Sequence, residues 1–230
     1  MWTEILLVSL WGGVVATDTT AVLQIMISRP MVACSVIGLI LGNFQLGFTI
    51  GVILELLYIS ELPVGGAHFA ESNVGSVAAA AIAVLTARQV PDRVDLIIVS
   101  VLLLAVFISW LGGWLVILMR HINSMVYCSI LDKKLVTPMH INAGQLIGIM
   151  LAFLLGFLSI FASCAVFVWL LPILLLYVPT NLDTMLRPVM GGLLAVGCIY
   201  LVHIFWTQDK RKWLLLLGII IGSVLVFLGI

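Results

Sequence analysis

The sequence predicts an all-α, polytopic integral membrane protein with about seven or eight apolar segments, at least one of them broken or re-entrant. Three observations carry this expectation. Of 230 residues, 63% are hydrophobic and 9% charged, whereas a soluble domain carries roughly 25% charged residues. The ten basic and ten acidic side chains stand mostly at junctions between long uncharged runs. Those runs match the ~20 residues that a helix needs to cross a ~30 Å hydrocarbon core.

The first run, residues 5–17, meets Asp18-Thr19-Thr20 and continues to Ser28. Asp18 suits either the end of a short helix or a place along a solute path. Arg29-Pro30 is a break, because proline cannot continue a helix and disfavours helical geometry just before it. Residues 30–54 carry no charge and read as one crossing. Residues 55–73 are polar and irregular. The alanine-rich run 74–87 is short for a full span and suits a re-entrant helix, which is tolerated where protein or a water-filled cavity covers its backbone.

Farther on, Arg88, Pro91, Asp92 and Arg93 make a polar turn, and 96–119 reads as a crossing. Residues 120–134, with Arg120, His121, Asp132, Lys133 and Lys134, read as the longest polar connection. No formal charge occurs in 135–182. That run is too long for one span and is expected to divide near Ser159 and Ser163. Pro179, Asn181, Asp183 and Arg187-Pro188 mark another break. Two crossings, 189–206 and 213–230, then flank the turn at 209–212. The whole chain, 1–230, reads as one transmembrane domain without a soluble domain.

Small residues recur at four-residue spacing as Gly38–Gly42, Gly47–Gly51, Gly144–Gly148 and Gly218–Gly222. Such strips let helix backbones approach closely in lipid. The first tandem predicts that 30–54 is buried among other helices. Asp18…Arg29-Pro30 and Asp183…Arg187-Pro188 also hint at paired breaks in two related halves.

Several function classes are excluded. Net charge is zero and there is no basic stripe, so no nucleic-acid partner is expected. No Lys or Arg precedes Arg29 and Glu4 lies near the start, so the first run reads as a retained segment and not as a cleaved signal. The scattered Cys34, Cys128, Cys164 and Cys198 form no CxxC and read as small hydrophobes. No catalytic triad, HExxH, Walker loop or metal cluster is found, so no catalytic residue, metal or cofactor is expected.

The informative segment is 55–73, ELLYISELPVGGAHFAESN. Acids within membrane segments cost about 2.5–3.5 kcal/mol at a helix centre and usually mark a substrate or ion path. Here Glu55, Glu61, Glu71, His68 and Asn73 surround Pro63 and Gly65-Gly66. A Gly-Gly pair turns sharply and brings backbone amides close to a ligand, and carboxylates and amides suit a hydroxyl-rich solute. On composition alone, an ordinary water-facing loop accounts for the segment equally well.

The spacing across 28–59 goes further. Arg29-Pro30, Gly38, Gly42-Asn43, Gly47, Gly51 and Leu54-Glu55, followed by Gly65-Gly66-Ala67 and Glu71, resemble the integral membrane IIC component of the mannose/fructose/sorbose family of the sugar phosphotransferase system (PTS). The resemblance covers roughly residues 14–85. It implies a sugar-translocating IIC subunit of the bacterial cytoplasmic membrane, working by an elevator-like movement with a IID membrane subunit, in a homo-oligomer of IIC–IID pairs. Cytoplasmic IIA and IIB proteins would relay phosphate from phosphoenolpyruvate to a hexose-like sugar. The chain itself would be a transport subunit and not an enzyme.

The substrate-binding residues expected on this reading are Glu55, Gly65, Gly66, His68, Glu71 and Asn73. His121, His140 and His203 would be structural or interfacial. Where family members usually carry Pro-Asp, this chain reads Phe69-Ala70-Glu71, which would reshape the pocket. Two other readings stand beside this one: an ion- or proton-coupled carrier using Glu55 and Glu71, and a non-transporting IIC-like scaffold or sensor.

Overall fold

The computed structural model describes residues 1–22, 24–59, 71–131, 137–179, 181–206 and 212–227. Within them the order is α1 (Trp2–Thr20), α2 (Pro30–Ile40), α3 (Phe44–Tyr58), α4 (Ser72–Ala87), a 3-10 turn (Pro91–Arg93), α5 (Val94–Leu131), α6 (Pro138–Leu176), α7 (Asn181–Trp206) and α8 (Lys212–Phe227). Every described regular element is helical, as the composition predicts.

Helix α4 is the hub. It packs against α1, α2, α3, α5 and α6, and each of its residues from Val74 to Thr86 is buried. Its run of alanines explains this place. In lipid no hydrophobic gain drives helices together, so close backbone approach and dispersion contacts must do so. Small side chains allow several neighbours to reach one helix. The outside has the opposite character. Along α8, Trp213, Leu214, Leu217, Ile219, Ile220 and Ile221 are all exposed, an apolar surface that water would not tolerate and acyl chains match.

Residues 30–54 do not form one crossing. They fold into a helical hairpin, α2 and α3, that turns at Gly42. Gly42 has φ +75°, a left-handed conformation that glycine adopts without steric cost. Pro30 occupies the first turn of α2, where its missing N–H is no loss. The Asn43 side chain caps α3 by accepting the Leu46 amide at 3.2 Å, as an N-cap residue should.

The tandem glycines serve this hairpin. A Cβ on Gly47 would meet the Cys34 carbonyl oxygen at 2.6 Å and Gly38 Cα at 2.8 Å; one on Gly51 would meet the Pro30 carbonyl oxygen at 2.8 Å. The strip therefore packs α2 on α3. The hairpin's outer side is not buried as expected: Leu39, Phe44 and Phe48 are exposed.

Two further boundaries differ from expectation. The run after 135 is one helix, α6, of 39 residues. Ser159 and Ser163 do not divide it, because their hydroxyls donate to the carbonyls four residues back, at 2.6 and 2.7 Å. Helix α5 likewise continues through Arg120 and His121 to Leu131, 38 residues in all. At ~1.5 Å per residue both helices are far longer than the ~30 Å core. The proposed paired breaks also fail to correspond, since Pro30 begins a helix while Pro188 lies inside α7.

Polar side chains at one end of the bundle tie helix termini together. Arg88, just beyond α4, donates to Glu4 of α1 at 2.6 Å and to the Leu41 carbonyl at the end of α2. Arg93 reaches the last turn of α6, donating to the carbonyls of Leu175, Val178 (2.8 Å) and Pro179 (3.3 Å). A guanidinium there adds charge-assisted donors to carbonyls at the negative end of the helix dipole.

Candidate functional site

Glu71 is the residue immediately before α4, at its N-cap position. Its backbone N–H donates to the Ser109 carbonyl of α5 at 2.8 Å. The Ser109 hydroxyl in turn lies 3.1 Å from the Tyr58 hydroxyl of α3. A Cβ on Gly112 would meet Glu71 Cβ at 2.8 Å, so the missing side chain at 112 leaves the space that Glu71 occupies. Ser109 and Gly112 sit near the middle of the 38-residue α5. The backbone of Glu71 is thereby held about halfway along α5.

A cavity of about 410 Å³ opens beside it, within the ~300–1,000 Å³ range of small-molecule sites. Its polar lining is Thr19 from α1, Glu71, Arg120 and Asn123 from α5, and Gln145 from α6. Val116, Met119, Ile149 and Leu155 supply apolar walls. This combination can hold a polyol. A carboxylate accepts hydrogen bonds from hydroxyls, carboxamides both donate and accept, a guanidinium donates in a fixed fork, and apolar walls cover C–H faces.

The expected site residues fare differently. Of those described, Glu71 alone lines this cavity. Asn73 is half-buried in the first turn of α4 and is not part of the lining. Gly65, Gly66 and His68, with Glu61, lie outside the described residues. Glu55 is engaged elsewhere. Its Oε1 accepts from Arg29 Nε at 2.7 Å, and its Oε2 accepts the backbone amide of Met31, at the start of α2, at 3.2 Å. The Arg-Pro and Leu-Glu elements, separate in the sequence pattern, thus close the base of the α2–α3 hairpin.

Asp18 ends α1 in the helix-end role. It is 3% exposed, and its carboxylate accepts the backbone amides of Ile25 and Ser28 at 2.9 and 3.0 Å. His140 is structural as expected: it forms a reciprocal capping box with Thr137 at the start of α6.

Sequence reading missed Arg120, Asn123, Gln145 and Thr19. Arg120 and Asn123 fall in the stretch 120–134 that reads as a polar connection, Thr19 is overshadowed by Asp18 beside it, and Gln145 stands alone in the uncharged run 135–182. The usable signal was helical spacing: Val116, Met119, Arg120 and Asn123 recur at three- and four-residue steps, which places them on one helix face.

An apolar-skinned helical bundle, interrupted by a hairpin and holding a polar cavity partway along its long helices, is an integral, multi-pass membrane protein of the cell membrane. The chain belongs to the family of PTS system sorbose-specific IIC components, whose model matches residues 2–228.

Among its relatives is the PTS system sorbose-specific EIIC component of Lacticaseibacillus casei, 33% identical over 73 residues, which are 32% of this chain and 26% of that protein. The protein of the same description from Klebsiella pneumoniae is 39% identical over 57 residues, 25% of this chain and 21% of that one. The fructose permease IIC component of Bacillus subtilis (strain 168) is 39% identical over 61 residues, 26% of this chain and 22% of that one. The aligned segments thus span about a quarter of these relatives' length.

Two solved structures share the fold. A chain described only as a membrane protein superposes with a TM-score of 0.67 at 19% identity, covering 99% of this chain and 94% of that one. A chain from the cryo-EM structure of the mannose transporter ManYZ with microcin E492 gives 0.57 at 18% identity, covering 100% and 95%.

Proposed function

We propose that this chain is the sugar-translocating IIC subunit of a phosphoenolpyruvate-dependent phosphotransferase system. It moves a hexose-like sugar across the cytoplasmic membrane for phosphorylation by a partner IIB protein. The observation that carries this reading is the cavity lined by Glu71 together with Thr19, Arg120, Asn123 and Gln145. Family membership supports the same reading.

The chemistry asked of the chain is binding and release. Hydroxyls of the sugar replace their water partners with the carboxylate and carboxamides, so desolvation is offset without covalent change. Group transfer falls to the IIA and IIB proteins, and the IID subunit completes the membrane unit, in a homo-oligomer of IIC–IID pairs. Gly65, Gly66, His68 and Asn73, close to Glu71 in the sequence, are retained as residues of the translocation path, while Glu55 serves the base of the hairpin.

Uptake of a radiolabelled sugar panel by cells expressing the chain with its partner proteins tests the reading. Glu71→Ala should abolish uptake and leave the amount of protein in the membrane unchanged. Undiminished uptake by that variant would remove Glu71 from the site.

A further inference from the structure

The segment between α1 and α2 is folded around a single buried side chain. Asp18 is 3% exposed. It holds the amides of Ile25 and Ser28 at 2.9 and 3.0 Å, and the Ile27 amide and Ser28 hydroxyl also face it. The turn is forced into an uncommon shape: Gln24 and Met26 have φ of 52° and 69°. Left-handed backbone at non-glycine residues is costly and persists where surrounding contacts over-determine it. Here the carboxylate supplies those contacts.

What the turn delivers is Arg29. The Arg29 amide donates to the Met26 carbonyl at 3.2 Å, so the left-handed residue directly sets the approach of the chain to α2. Arg29 then donates to Glu55, and Glu55 accepts the Met31 amide. On its other side, Asp18 is flanked by Ala16, Thr19 and Ala21, which line the cavity. One carboxylate therefore stands between a cavity wall and the ion pair at the base of the hairpin.

We infer that Asp18 is a positioning residue: by ordering residues 24–28 it sets Arg29 against Glu55 and fixes the α1 terminus that walls the cavity. The transport consequence rests on the proposed sugar-translocating function; the structural coupling does not. A carboxylate is required because two separate amides, at Ile25 and Ser28, need one acceptor oxygen each. Asparagine offers one oxygen and one donor, and the donor would face an N–H.

Residue-resolved amide hydrogen exchange on the purified full-length protein in nanodiscs tests the coupling. Asp18→Asn should speed exchange at Ile25 and Ser28, and also at Met31, by roughly tenfold or more, as expected when charge-assisted hydrogen bonds are lost. Arg29→Gln should speed Met31 alone. Unchanged Met31 exchange in the Asp18 variant would overturn the inference, whether or not any sugar is transported.

Sugar uptake supplies the second arm. Asp18→Asn should raise KM with little change in maximal rate per protein, the Arg29 variant should do the same, and the double variant should be no worse than the more impaired single one. Additive losses in uptake would overturn the ordered chain from Asp18 to Arg29. A wild-type chain that moves none of the sugars tested would overturn the proposed function and leave the exchange result to decide the coupling.

Discussion

Arg29 and Glu55, 26 residues apart in sequence, meet at the open end of the α2–α3 hairpin. Arg29 Nε lies 2.7 Å from one carboxylate oxygen, and the Met31 amide donates to the other at 3.2 Å. Glu55 therefore acts both as an ion-pair partner and as a cap for the first turn of α2. The two roles predict unequal losses. Arg29 is 46% exposed at its side chain, so Arg29→Gln should cost about 0.5–1 kcal/mol after solvent screening. Glu55→Ala also strands the Met31 amide and should cost about 1–3 kcal/mol. Thermal unfolding in detergent, followed by tryptophan fluorescence, measures both, and equal losses would contradict the capping role.

The hairpin makes a sharper prediction at its glycines. A Cβ at Gly47 meets backbone atoms, at 2.6 and 2.8 Å, that cannot swing aside. Gly47→Ala should therefore force α2 and α3 apart at a cost of about 1–3 kcal/mol. Gly218→Ala, in a position with nothing within 4 Å, should be neutral or slightly stabilising through helix propensity. The two variants share spacing and chemistry in the sequence, so the same unfolding assay separates a packing glycine from an incidental one. Similar behaviour of the pair would contradict the close approach.

This contrast shows why part of the fold was legible and part was not. Scarce charge revealed the membrane solvent, and the Arg29-Pro30 break marked the start of α2. The turn at Gly42-Asn43 carries no charge, so hydropathy ran straight through it and joined two helices into one. Ser159 and Ser163 misled in the other direction. Their hydroxyls satisfy carbonyls within their own helix, so polar residues there did not require a break. Glu71 was legible as a candidate because an acid beside an expected helix break stands out. Arg120, Asn123 and Gln145 were not, because their shared cavity is created by α5 folding back along α6.

The gap at Gly112 is the next test of the site. A Cβ there would lie 2.8 Å from Glu71 Cβ, close enough to displace the acid or tilt the start of α4. Gly112→Ala should reduce sugar uptake by about tenfold or more, since a displacement near 1 Å at a binding group has large effects. The bulk of the fold should tolerate it at about 1–3 kcal/mol. Uptake per membrane-inserted protein is the measurement. Wild-type uptake would mean that Glu71 need not occupy its observed position.

Asn123 and Gln145 provide the last prediction, because they reach the same cavity from different helices. If their carboxamides bind hydroxyls of the solute, removing either one loses one or two neutral hydrogen bonds, about 0.5–1.5 kcal/mol each. Asn123→Ala and Gln145→Ala should then raise KM for uptake by roughly three- to tenfold, with maximal rate nearly preserved. Asn142, an exposed carboxamide in the same helix as Gln145 and outside the cavity lining, is the matched control, and its alanine variant should leave KM unchanged. Carboxamides at both cavity positions that behave like Asn142 would place the sugar somewhere other than beside Glu71.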